Sequence, residues 1–212
     1  MLGIFPQLQP PDAPYMQNLG VAVFFLLSGL LIFYTVDRKS AAEDYSFRKF
    51  AIDRFSRIYS GYLPSLVLIA VVDGISVTIA PKDYQHYAAY NPSTFVANVL
   101  MLQDYPLFSW LSGSSLGVLS WIPSFTSFGS ARPLWTLAIE WWIYLLFGWV
   151  VLAKDTLRAR PIMFLAVVVA LAPVPLWNAV AGRGNGLTWL WLFGGAIYLG
   201  LRDGFGAKTC AK

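Results

Sequence analysis

Glu140 is the one charged residue between Pro133 and Ala153, in the run Arg132-Pro-Leu-Trp-Thr-Leu-Ala-Ile-Glu140-Trp-Trp-Ile-Tyr144. Helical spacing puts Thr136, Glu140 and Tyr144 on one face, each four residues from the next. An acid inside an apolar run of bilayer length is expensive and marks a functional site. It could take a proton from a reacting group, give one up at a raised pKa, or orient a third group. A buried glutamic acid that ties two helices together is an equal reading of the same residues.

A second constellation is cationic. In Phe50-Ala-Ile-Asp-Arg54-Phe-Ser-Arg57, two guanidiniums three residues apart are expected to share a helix face and could grip a phosphate. A basic loop beside anionic lipid head groups is the alternative explanation. Asp73 is a further acid in an apolar run; it either lines the same cavity as Glu140 or, the favoured reading, reaches the interface. His86 sits in the tyrosine-rich stretch Pro81-Lys-Asp-Tyr-Gln-His86-Tyr and reads as a surface or interfacial histidine. With one histidine and one cysteine, Cys210, neither a multi-histidine metal site nor an internal disulfide is expected.

The elements that hold these residues are those of a membrane protein. Hydrophobic residues make up 57% of the 212 and charged residues 12%, about half the share usual in soluble domains. Runs at about 18–36, 60–80, 133–153, 161–180 and 186–201 are apolar enough to cross a hydrocarbon core of about 30 Å. Pro173 and Pro175 should kink the fourth. Ser28 and Gly29, in the first, are small residues suited to close helix packing. Segment 94–130 is broken by Gln103-Asp104-Tyr-Pro106 and then rich in serine and glycine, so it reads as re-entrant or interfacial. The expectation is an all-α, polytopic membrane helical bundle of about five spanning helices plus that segment, with residues 1–212 as one domain.

Charge distribution orders the crossings. With the N-terminus outside and no net crossing in 94–130, the inner segments hold Arg38, Lys39, Arg48, Lys49, Arg54, Arg57, Lys154, Arg158, Arg160, Arg202, Lys208 and Lys212. Only Lys82, Arg132 and Arg183 remain outside. The basic residues thus follow membrane topology, and a net charge of +4 calls for no nucleic acid. Glu140 would then lie roughly ten ångströms below the outer surface, with Arg54 and Arg57 reaching the same hollow from the opposite leaflet.

Three motifs, in order, resemble the membrane acyltransferase family 3. Gly20-Val-Ala-Val-Phe24-Phe25-Leu-Leu-Ser28-Gly29-Leu-Leu-Ile32 is similar to its second-helix signature, Phe50 to Tyr59 to its basic inner-loop motif, and Leu134-Trp135-Thr136-Leu137 through Glu140 to Tyr144 to its Trp-Ser/Thr-Leu…Glu…Tyr helix. Phe193-Gly194-Gly195-Ala-Ile-Tyr198 resembles a later glycine-bearing helix more weakly. The resemblance implies a multi-pass enzyme of the bacterial inner membrane that moves an acyl group, often acetyl, from acyl-coenzyme A as co-substrate. The acceptor it implies is a hydroxyl of a carbohydrate or lipid-linked glycan. Arg54 and Arg57 would meet the coenzyme A phosphates from the cytoplasm, the side on which this chain would end. Glu140, Thr136, Trp135 and Tyr144 would form the catalytic group. Family members carry a further helix with an arginine and a histidine, which the resemblance places upstream of Met1. An inactive relative serving as a membrane scaffold and a small proton-coupled transporter are the alternatives, and no inverted repeat favours transport.

Overall fold

A computed structural model describes residues 16–40, 45–108, 125–181 and 184–209. Among them every regular element is helical. They fall into two compact units, one containing residues 16–40 and 184–209, the other 45–181.

The first unit is a pair of helices, α1 (Met16–Ser40) and α8 (Leu187–Thr209). They run parallel: Ser28 and Gly29 meet Trp191, Phe33 meets Gly195, and Asp37 meets Tyr198 and Arg202. Parallel running is what the charge-ordered topology requires of its first and fifth crossings. The two backbones touch because glycine lets them. A Cβ on Gly29 would stand 1.9 Å from the Trp191 carbonyl oxygen, and one on Gly194 1.9 Å from that of Leu26. Ser28 and Gly29 are therefore packing residues. Asp37 closes the pair at one end, accepting from Tyr198 at 2.7 Å and from Arg202 at 3.1 Å.

The second unit is built on α2 (Phe47–Ile79) and α4 (Trp135–Leu152). At 33 residues α2 is about 50 Å long, well beyond a hydrocarbon core. It starts thirteen residues before the expected crossing and takes in the whole basic stretch. The reason is a stripe at four-residue spacing, Phe50, Arg54, Ile58, Tyr62 and Leu66, all buried. The helix therefore continues through residues whose charge had suggested a loop.

α2 and α4 are antiparallel: Phe47 packs on Trp149, Phe50 on Gly148, and Phe55 and Tyr59 on Trp141. A turn of 3₁₀-helix, Arg132–Leu134, with proline in its first positions leads into α4. After α4 come a short α5 (Lys154–Ala159), then α6 (Pro161–Leu171) and α7 (Pro173–Val180). The last two are bent by 48° at the expected prolines, which remove two helical N–H donors.

Among the described residues, three helices are long and apolar enough to cross a membrane, or four if the bent pair is one span. The fifth expected crossing is a helix, α8, but its apolar stretch ends at Arg202 and Asp203.

The described ends of segment 94–130 meet. A short α3 (Pro92–Val99) is capped by Asn91, which accepts from the Thr94 N–H at 2.8 Å. Residues 109–124, the centre of the expected re-entrant segment, lie outside the described residues, as do Arg183 and Cys210. The ends on either side of that gap meet: Asp104 N–H donates to the Phe125 carbonyl at 2.8 Å. Asn98, fully buried, donates to the Thr126 carbonyl at 2.9 Å and accepts from the Phe128 N–H at 3.1 Å. Entry and exit are thus adjacent, as a re-entrant segment requires.

Candidate active site

Glu140 projects from the second turn of α4 and is 4% exposed. Its carboxylate accepts a short hydrogen bond from the hydroxyl of Tyr144, one turn along and also buried. Two of the three residues expected on this face are therefore joined. Thr136 is not joined to them by that bond; its hydroxyl donates back to the Pro133 carbonyl at 3.2 Å. Trp135 lies on the neighbouring stripe with Ile139, and both form part of a cavity wall.

The two arginines part company. Arg54, in the buried stripe of α2, is only 7% exposed, whereas Arg57 is exposed to the outside of the helix. Arg57, three residues on, falls at the exposed edge of the stripe that buries Arg54. Arg54 lies over the Phe50 ring at 5.8 Å, and among the described residues its Nε has no hydrogen-bond partner. A buried guanidinium donor without an acceptor is costly.

The depth relation also departs from expectation. On α2, Arg54 falls between Phe50, which packs at Gly148, and Phe55, which packs at Trp141. It is therefore level with the stretch of α4 that holds Tyr144, and roughly 5 Å, about one turn, from the level of Glu140. The cation and the acid are therefore close in depth along the α2–α4 pair.

Asp73 is 3% exposed, packed inside the protein rather than on its surface. It accepts from Ser130 twice, from the N–H at 2.7 Å and from the hydroxyl at 2.9 Å. This fixes the strand of chain that enters α4 and so the height of Glu140. Gly129 is required beside it: its φ is +48°, and a Cβ there would fall 2.2 Å from an Asp73 oxygen. Burial, and then the neighbouring Asp73 carboxylate, push the Tyr84 phenol upward, so it stays protonated. His86 is half-buried in the turn after α2, with its ring against Tyr84.

A hydrogen-bonded network went unforeseen. Tyr62 donates to the Asn98 carbonyl at 2.8 Å and accepts from Gln103 Nε2 at 3.1 Å. Trp142 Nε1 donates to the Met101 carbonyl at 2.7 Å, pinning the 101–104 turn to α4. Asn98 and Gln103, polar residues in an apolar neighbourhood, were the signal for it. No group of three or more metal-ligating side chains occurs among the described residues.

The model of the acyltransferase domain family matches residues 2–203, nearly the whole chain. The chain belongs to acyltransferase family 3. No curated protein and no solved structure matches it. Membership makes this a membrane acyltransferase, and it sets the buried Glu140–Tyr144 pair and the buried Arg54 inside a domain whose chemistry is acyl transfer.

Proposed function

We propose that the chain moves an acyl group, acetyl in the simplest case, from acyl-coenzyme A to a hydroxyl of a carbohydrate or other cell-envelope acceptor. The observation that carries this reading is Arg54: a buried guanidinium with an unused donor, about one turn in depth from a buried carboxylate. A phosphate of coenzyme A would satisfy that donor and repay its desolvation. Arg57, outside the stripe, would contribute only long-range attraction to the coenzyme.

Glu140 would act on the acceptor. The hydroxyl gives its proton to the Glu140 carboxylate as its oxygen bonds to the thioester carbonyl carbon. The carbon–sulfur bond then breaks, and the departing coenzyme A thiolate takes up the proton. Tyr144 holds the carboxylate in place through its hydroxyl, and Trp135 would line the reaction cavity. The enzyme would sit in the bacterial inner membrane with the donor entering from the cytoplasm. The test is acetyl transfer from labelled acetyl-coenzyme A by purified protein carrying Glu140→Gln or Arg54→Ala. Loss in both supports the assignment, and full activity in either removes that residue from the site.

A further inference from the structure

A cavity of about 250 Å³ opens beside the N-terminal turns of α4. Its wall brings together two indole rings, Trp135 and Trp177, with the side chains of Asp104, Asn178, Gln103 and Thr126. Half of Trp177 is exposed, while Asn178 is 2% and Gln103 4% exposed. Aromatic rings together with amide and carboxylate groups suit a ligand with an apolar face and hydrogen-bonding edges.

Two observations single this cavity out. The first is Gln103. Tyr62 spends its hydroxyl proton on the Asn98 carbonyl, so it can only accept from Gln103, which must present its Nε2. The amide oxygen left over is buried and has no donor among the described residues. The second is the backbone. Met101 and Asp104, which bracket Gln103, both have positive φ, 57° and 56°, although neither is glycine. Such strain persists only where the surroundings enforce it, and it concentrates at ligand sites. Here the Trp142–Met101 and Asp104–Phe125 hydrogen bonds enforce it and turn Gln103 and Asp104 into the wall.

We infer that this cavity binds one pyranose ring: its C–H face lies against the Trp135 and Trp177 indoles and its hydroxyls reach Asp104 and Asn178. The volume lies just below the usual range of ligand pockets, about 300–1,000 Å³, which limits the occupant to a single ring. Ile139 is in the same wall, one residue along the helix from Glu140, which does not itself line the cavity. Calling the ring the acyl acceptor rests on the acyltransferase reading above; its binding does not.

The test uses the full chain in detergent with Cys210→Ser and a reporter cysteine, Thr126→Cys, in the cavity wall. Maleimide labelling is timed with and without methyl glycosides of glucose, galactose, mannose and N-acetylglucosamine, with Lys82→Cys in the loop after α2 as the control site. At least one glycoside should slow labelling of Thr126→Cys fivefold or more and leave Lys82→Cys unchanged. Trp177→Ala should abolish that protection, and Trp177→Phe, which keeps an aromatic face, should retain it. No protection by any glycoside, or protection that survives Trp177→Ala, overturns the assignment. Protection without acyl transfer would sink the acyltransferase reading alone, and transfer to a glycoside without protection would sink the cavity alone.

Discussion

Arg54 of α2 and Glu140 of α4 lie on adjacent antiparallel helices, both buried, with about one helical turn between their depths. On the proposed reading, a phosphate-binding cation and a general base at nearly one level would put both ends of the acyl transfer in a single layer of this unit. The α2 stripe and the Asp73–Ser130 bonds set that level, one from each end of α2.

Replacing Glu140 with glutamine keeps the shape and the Tyr144 contact but removes the base. Acyl transfer should fall by about 10²–10⁴, the usual weight of general base catalysis. Tyr144→Phe should cost far less, about tenfold, because it only frees the carboxylate. Initial rates with labelled acetyl-coenzyme A separate the two. If Glu140→Gln retained full activity and instead lowered the melting temperature, the acid would be a structural tie.

Arg54 should be a stability liability in the absence of ligand. Arg54→Leu removes a buried, incompletely paired charge and leaves an apolar side chain in an apolar stripe. Its thermal midpoint should match or exceed that of the unmodified protein, while acyl transfer is lost. A fall in the midpoint would mean that Arg54 is held by structural partners.

Asp73 positions α4 without touching the chemistry. Asp73→Ala leaves the Ser130 N–H and hydroxyl without their acceptor and should cost about 1.5–3 kcal/mol in detergent unfolding. Gly129→Ala should be at least as harmful, since the left-handed φ and the 2.2 Å approach to Asp73 both oppose a side chain. Asp73→Asn, which keeps one acceptor oxygen, should recover part of the loss.

The α1–α8 pair depends on two glycines. Gly29→Val or Gly194→Val must push backbones apart and should cost about 1–3 kcal/mol each. Combining them should cost less than the sum, because the first already separates the helices. Unfolding midpoints of the single and double variants check this.

Much of this architecture was legible in the residues, and its limits are instructive. Hydropathy located α1, α4 and the proline-bent α6–α7 pair, because each is a local run ended by charge or proline. It misplaced the start of α2, since Arg48, Lys49, Arg54 and Arg57 hide a four-residue apolar stripe that only a partner helix makes meaningful. Glu140 stood out as a lone charge, and Tyr144 followed from helical spacing. The Asp73–Ser130 tie could not be read, because the two residues are 57 positions apart. The cavity was invisible for the same reason: its walls come from four separate stretches, around 103–106, 125–126, 135–139 and 174–178.

The most direct measurement is the binding of coenzyme A itself, by titration calorimetry, to the unmodified protein and to Arg54→Ala and Arg57→Ala. The buried guanidinium should be worth a charge-assisted hydrogen bond, so Arg54→Ala should weaken binding about 10- to 100-fold while Arg57→Ala changes it little. Equal affinity of Arg54→Ala and the unmodified protein would contradict the account.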